Sequence, residues 1–589
     1  MKWDSRIRCA LVCIAFIALF SIFSFRLVHL QIAKHEEYAE VAAEKHGDKQ
    51  IIFAERGPIL DAKGEILAHN VPNETVVLDA TLVHDPDTLV PILAKHLDLD
   101  AAEIRERLET KKAYIVLKRE VPLETTAALR KELEAIKQRR CVNFERTFTR
   151  FYPNGNMLCH VLGFTDFERK GIQGVEATME RYLHGEDGYR LIEHNRAGQE
   201  LVSYRGLEHP PRDGYQVHLT IDLNLQNIVE NEIDAAMREY NPQKATIILM
   251  RPDTGEVLAM ANRPAFDLNK RSEAKPEQMK NRAIIDQMEP GSTFKIVTAA
   301  AALNERKVQP DTVIFCENGV WSYGGKLLHD HGSGYGALSV RDILVHSSNI
   351  GAAKLAISVG DEKFYEYIRR FGFGERTGIE LPGEIPGSIH PPQKWSKISI
   401  TRIPMGHEVG VTALQMTVAM AAIANGGKLV TPRIIQSITD SEGQTIASFS
   451  PTILRQVVAP ETAAKVANAL RGVVSDHGTA AAAAVPGFTI AGKTGTAQKI
   501  DPNGGYDANK TVVSFSGFLP AEHPEFVGLV VLDDPKTKTR EENYGGKVAG
   551  PIFSRVAEKA ARYLDLEPHE EIRKAMPVGQ VALTNPTHR

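Results

Sequence analysis

Residues 9–25 are almost uncharged and apolar, and Leu27, Val28 and Leu30 extend the run. A helix rising 1.5 Å per residue over this stretch covers about 30 Å, the hydrocarbon thickness of a bilayer. Lys2, Arg6 and Arg8 precede it against a single Asp4. That bias predicts a cytoplasmic tail over 1–8, a transmembrane anchor over 9–30 and an outward-facing remainder. The rival reading is a cleaved signal peptide, but no small-x-small site follows the run, and Phe23, Phe25 and Arg26 fit one poorly. No later stretch is apolar for about 18 residues, so a single pass is expected.

The chain has 589 residues, enough for two to four domains at ~150 residues each. A net charge of -4 carries no nucleic-acid footprint. Cys9 and Cys13 lie in the apolar run, leaving Cys141, Cys159 and Cys316 without metal-type spacing. Free buried thiols are expected, with a Cys141–Cys159 bridge as the alternative.

Residues 31–46 read as a polar helix leaving the membrane. Residues 31–215 mix short strands, such as 75–78, with charged helices, such as 123–137, and read as a non-catalytic module. Residues 208–214, Glu-His-Pro-Pro-Arg-Asp-Gly, form the best linker signal. A second module, 216–565, opens with a strand at 216–220 and a helix at 223–240. Strands at 245–250 and 257–262 follow, joined by the hairpin signal Asp253-Thr254-Gly255. Helices at 340–357, 362–371 and 414–424 fill the middle. Strands return at 487–491, 512–518 and 526–531, and a helix over 551–564 closes the module. Strands at both ends with helices between predict an antiparallel sheet carrying an inserted helical cluster. Residues 566–589 are polar, lack periodicity and read as a disordered tail.

Three short motifs in the second module carry chemistry. Pro290-Gly291 is followed by Ser292 in an N-cap-like position, then Lys295 and an apolar run to Leu303. Three-residue spacing projects Ser292 and Lys295 from one helical face. An amine beside a hydroxyl can take its proton if the amine is neutral, and burial or a second cation would lower its pKa toward that state. Alone, the pair is equally well a helix cap and a solvated lysine. Ser347-Ser348-Asn349 interrupts an apolar helical pattern, where Ser347 can relay a proton and the Asn349 amide can hold a carbonyl; the alternative is a helix junction. Lys493-Thr494-Gly495-Thr496 lies on a strand: Gly495 admits close approach, and the cation and hydroxyls suit an anionic tail, or mark a hairpin corner.

This set in this order resembles the class B penicillin-binding proteins, and within them the division-specific, FtsI-type branch. The resemblance extends from the anchor to about residue 564. It includes Arg56-Gly57-Pro58-Ile59, Gly171-Ile172-Gln173-Gly174-Val175-Glu176, Thr220-Ile221-Asp222 and Tyr544-Gly545-Gly546. It implies an α+β chain: one transmembrane helix, an elongated mixed α/β pedestal, and a transpeptidase domain of antiparallel sheet with flanking helices and an inserted helical cluster. It places the chain in the inner (cytoplasmic) membrane, with the catalytic domain periplasmic or extracytoplasmic.

The implied reaction is acyl transfer from peptidoglycan stem peptides ending in D-Ala-D-Ala, without metal or other cofactor. Ser292 attacks, Lys295 takes its proton, and Ser347 with Lys493 protonates the leaving amine. Asn349 orients the acyl chain. The backbone N–H groups of Ser292 and Thr496 form the oxyanion hole, and Lys493, Thr494, Gly495 and Thr496 hold the terminal carboxylate. A β-lactam would trap Ser292. The implied partners are the wall peptides, a polytopic membrane glycan polymerase and other division proteins. An elongation-type enzyme, or a β-lactam-binding scaffold or sensor without transpeptidation, is the alternative. Two features depart from the pattern. The usual Ser-x-Gly-x-Gly stretch is replaced around Gly406-His407-Glu408, which reads as altered specificity or loop filler. His329-Asp330-His331 alternates like a metal site but reads as a surface loop.

Overall fold

The computed structural model describes residues 5–35, 47–193, 208–332, 334–500, 505–539 and 542–568. Most of the polar helix expected over 31–46, and nearly all of the tail expected to be disordered, lie outside them. Contacts divide the chain into two compact units, Met1–Glu55 with Gly185–Gly214, and Arg56–His184 with Tyr215–Arg589.

In the first unit, helix α1 (Ser5–Val28) carries the apolar run, and its side chains are exposed. The window Cys9–Ile32 has mean hydropathy 2.5, sufficient in length and composition to cross a bilayer. A small antiparallel sheet joins Gly47–Ile52, Gly188–Glu193 and Glu208–His209. The expected linker therefore starts as a strand: Glu208 pairs with Arg190 through backbone and side chain.

Among the described residues, the second unit holds a seven-stranded sheet, a five-stranded sheet, three two-stranded ribbons and most of the core. Its seven-stranded sheet includes Ile59–Leu60, Ile66–Leu78 and Ile115–Pro122, and also Gln216–Leu219 and Ile435–Thr439. Residues around 76–142 close their own small core through Val76, Leu89, Leu93 and Leu133. Next to them an ion cluster is buried. The Glu176 carboxylate meets Arg56 Nε at 2.6 Å and Arg150 Nε at 2.7 Å. Burial opposes its ionisation, but Arg150 and Arg56 outweigh that and hold the carboxyl below its ordinary range.

Helix α2 (Leu223–Tyr240) matches its expected bounds, because both ends are written locally. The Asp222 side chain accepts from the Asn224 and Leu225 N–H groups, and Asn241 closes the helix in the left-handed region. Strands β1 (Lys244–Met250) and β2 (Val257–Arg263) form the expected hairpin. Helix α3 (Lys295–Asn304) is buried from Lys295 to Leu303, which explains its nearly unbroken apolar sequence.

The helix expected over 340–357 is two helices, α4 (Val340–Val345) and α5 (Asn349–Val359). The break falls at Ser347, whose φ of 61° no continuous helix accommodates. Helix α6 (Ala413–Ala424) is capped by a reciprocal Thr412–Gln415 box.

Strand β3 (Ala491–Ile500) begins where the expected 487–491 strand should end, since Gly487 sits in a turn at φ 88°. With β4 (Tyr506–Leu519) and β5 (Phe526–Asp533) it completes an antiparallel sheet ordered β2-β1-β5-β4-β3. Helix α7 (Gly545–Tyr563) starts six residues earlier than expected and carries Pro551 inside it. Cys141, Cys159 and Cys316 are free buried thiols.

Replacing Glu176 by Ala removes the carboxylate that two buried guanidinium groups share, and Arg56 keeps only its ion pair with Glu180, at 2.7 Å. Such a loss costs about 3–5 kcal/mol. Urea unfolding of Glu176→Ala should show a destabilisation of that size, and an unchanged midpoint would contradict the assigned ion cluster.

Candidate active site

The turn before α3 carries the nucleophile candidate. Gly291–Phe294 forms a 3-10 turn, with Pro290 in the cap position and no side-chain cap. Ser292 is thus not the N-cap expected from sequence; it stands inside the turn, and Thr293 closes the turn by donating to the Pro290 carbonyl at 2.8 Å. Ser292 lines a cavity of about 220 Å³ together with His331, Asn349, His407, Thr496 and Tyr544.

Two glycines let this turn approach its neighbours. A Cβ on Gly495 would lie 2.3 Å from Ser514 Oγ and 2.8 Å from the Pro290 carbonyl oxygen. A Cβ on Gly406 would lie 2.1 Å from the Gly291 carbonyl oxygen. Any side chain at either position would separate the turn from β3 or from the 404–408 segment. Because β3 is the sheet's edge strand, one side of its backbone ladder is open to the turn.

Lys295 is fully buried. Its Nζ lies 2.6 Å from the Ser347 carbonyl oxygen, 2.7 Å from Asn349 Oδ1 and 3.2 Å from Ser347 Oγ. Burial pushes its pKa well below the usual lysine value; the nearby Lys493 adds to the shift, and Asp330 opposes it. Lys493 is also fully buried, and burial brings it down to about 7.

The structure therefore brings Ser292, Lys295, Ser347, Asn349, Lys493, Gly495 and Thr496 into one region. Thr494 is not part of the cavity wall: its hydroxyl meets Thr479 Oγ1 at 3.2 Å and Lys493 Nζ at 3.3 Å. The Thr496 hydroxyl accepts from the Gly545 N–H at 3.1 Å, which ties the start of α7 to β3.

Sequence reasoning missed Asp330. His329 and His331 are exposed, as a surface loop implies, but Asp330 between them is buried at the start of α5. Its Oδ1 accepts from the Asn349 N–H at 2.5 Å and the Ile350 N–H at 3.0 Å. Ser348 donates to the same carboxylate and accepts from the Gly351 N–H at 2.9 Å. An anion thus caps the helix end where free N–H groups and the dipole favour negative charge. One residue earlier, the His329 carbonyl accepts from Asn349 Nδ2 at 2.9 Å. This loop fixes the Ser347 backbone and the Asn349 amide that hold Lys295. Alternating acidic and histidine residues ahead of a helix start were its only sequence signal.

A serine in a tight turn, three residues before a buried lysine whose pKa is depressed, is the arrangement of a serine-type acyltransferase. Comparisons with known proteins agree. Residues 245–558 match the penicillin-binding protein transpeptidase domain, and 51–219 match the penicillin-binding protein dimerisation domain. Stage V sporulation protein D of Bacillus subtilis is 33% identical over 557 residues, covering 94% of this chain and 85% of that protein. The peptidoglycan D,D-transpeptidase FtsI of Escherichia coli is 29% identical over 571 residues, covering 95% and 92%. The crystal structure of penicillin-binding protein 3 from Mycobacterium tuberculosis, complexed with aztreonam, aligns with a TM-score of 0.69 at 27% identity, covering 88% of this chain and 98% of that one. The chain belongs to the class B penicillin-binding proteins and is a peptidoglycan D,D-transpeptidase of the serine acyltransferase type.

Asp330→Asn keeps the shape of the cap and removes its charge. Hydrogen bonds to a charged group contribute about 1.5–3 kcal/mol, so chemical denaturation should register a loss in that range. A variant as stable as the parent would show that the capping charge is not needed.

Proposed function

We propose that this chain cross-links peptidoglycan stem peptides through an ester on Ser292, in septal wall synthesis. The observation that carries the reading is the set of partners around Lys295. A neutral amine has two N–H donors and one lone pair. The two closest partners, the Ser347 carbonyl and Asn349 Oδ1, can only accept. The third, the Ser347 hydroxyl, can accept from an ammonium or donate to the lone pair of a neutral amine. The contacts accommodate an uncharged lysine, and burial and Lys493 favour it; this is the form that can take a proton from Ser292.

In the proposed sequence Ser292 Oγ attacks the carbonyl between the two terminal D-alanines as Lys295 takes its proton. The Ser292 and Thr496 N–H groups receive the oxyanion, a contribution that can be worth ~10²–10³ in rate. Ser347, with Lys493, passes the proton to the departing D-alanine amine. Lys493, Gly495 and Thr496 secure the terminal carboxylate, with the Thr494 hydroxyl set behind them on Thr479 and Lys493, and Asn349 aligns the acyl chain. A second stem peptide's amine then resolves the ester. A β-lactam follows the first half of this route and stays on Ser292. Residues 216–565 form the transpeptidase domain in this reading, with 31–215 as its pedestal and docking surface for a polytopic glycan polymerase. Lys2, Arg6 and Arg8 keep the N-terminus cytoplasmic and the reaction outside the membrane.

The proposed proton states set a pH dependence. Lys295 must be neutral, so activity is lost as pH falls through its depressed pKa; Lys493 must be charged, so activity is lost as pH rises through its own, about 7 in the free protein. The second-order rate constant for labelling by a fluorescent penicillin should therefore trace a bell that declines above neutrality, and Ser292→Ala should abolish the adduct. Labelling that climbs steadily to pH 10, or that survives Ser292→Ala, would defeat the reading.

The septal assignment rests on similarity to FtsI over 92% of that protein. Depletion in growing cells should produce filaments; rounded cells would indicate elongation instead.

A further inference from the structure

The 404–408 segment packs on the nucleophile turn through Gly406 and carries His407 to the wall of the Ser292 cavity. His407 Nδ1 lies 3.1 Å from Glu289 Oε2 and 3.1 Å from the Tyr506 hydroxyl. Tyr506 donates to Glu289 Oε1 at 3.1 Å, and the same oxygen accepts from the Glu408 N–H at 2.8 Å. The rings of His407 and Tyr506 meet edge to face at 5.3 Å. With a proton on Nδ1 the ring can donate to the Tyr506 hydroxyl, which donates in turn to Glu289 Oε1, while Glu289 Oε2 stands near the ring without a hydrogen bond. Nε2 then carries a lone pair, and among the described residues no group bonds it. Glu289 immediately precedes Pro290-Gly291-Ser292, so the orienting carboxylate and the nucleophile share one rigid stretch.

We propose that His407 seats the acceptor amine of the second half-reaction, with Nε2 accepting a hydrogen bond from one of its N–H groups. This rests on the acyl-transfer reading above. The amine must arrive neutral and aim its lone pair at the ester carbonyl. That needs an acceptor besides Lys295, whose lone pair is committed to the surplus proton, and a charged Lys493 can only donate. The Tyr506 hydroxyl, bonded to Nδ1 and donating to Glu289, fixes the tautomer that leaves the Nε2 lone pair open.

The step balances without a net proton on His407. The amine nitrogen attacks the carbonyl carbon and forms the C–N bond. Its surplus proton passes to Lys295 Nζ and then to Ser292 Oγ as the C–Oγ bond breaks, leaving an amide and a free serine. His407 orients the nucleophile throughout and takes no part in forming the ester.

The test separates the two half-reactions in the full-length protein in detergent. Ester formation is followed with a fluorescent penicillin. Resolution is followed with an acyl-D-alanyl thioester donor and D-alanine as acceptor, scoring amide against hydrolysis product. For His407→Leu we expect the amide-to-hydrolysis ratio to fall about tenfold or more, with a raised KM for D-alanine, while penicillin labelling slows by no more than about threefold. His407→Gln, whose side-chain oxygen reaches the position of Nε2, should recover most of the lost ratio. An unchanged ratio in His407→Leu overturns the proposal, and so does an equal loss of labelling and amide formation in both variants. A wild-type protein that forms no penicillin adduct would instead remove the acyl-transfer reading itself.

Discussion

Two lysines buried in one small region, Lys295 and Lys493, set the terms for the rest of the catalytic unit. Each loses hydration, and they repel one another, so both cannot remain charged at low cost. Asp330 opposes the loss of charge at Lys295, but burial and Lys493 prevail. The result is a base prepared by its surroundings. An exposed lysine at the same spacing from a serine, such as Lys275 three residues after Ser272, has no such preparation: Ser272 lies in one polar 3-10 segment and Lys275 caps the next.

Keeping that pair buried requires three distant segments to meet. The helical cluster supplies the Ser347 carbonyl and the Asn349 amide. Their positions depend on Asp330, which caps α5 from a loop 18 residues earlier. The sheet supplies Lys493 on an edge strand, and Gly495 lets that strand reach the serine turn. The third contact comes from Gly406, whose carbonyl accepts from the Gly291 N–H at 3.3 Å. Each meeting point is a backbone approach or a buried polar bond, where a misplacement of one ångström breaks the geometry.

Much of this could be read before any coordinates. Helix α2 announces itself through Asp222 and Asn241, and the β1–β2 hairpin through its turn residues, because those signals are local. The three catalytic motifs were legible because their residue types are unusual in combination. What escaped depends on contacts between remote residues. The division of α4 from α5 rests on Ser347 in a left-handed conformation beside a carboxylate that sequence reading left on the surface. The early start of α7 follows from Gly545 lying against β3, where Thr496 bonds its N–H, whereas Pro551 seemed the more natural beginning. His407 read more readily as loop filler until Glu289 and Tyr506 were placed around it.

The claim beneath the whole account is that Lys295 is uncharged at neutral pH in the resting protein. An NMR titration of isotopically labelled lysine side chains, with Lys295 assigned by its disappearance in Lys295→Arg, tests it directly. The account predicts a resonance that titrates far below the usual lysine range and is already in its neutral form at pH 7. A Lys295 signal that stays in the ammonium form until about pH 10, the range of an unperturbed lysine, would contradict it.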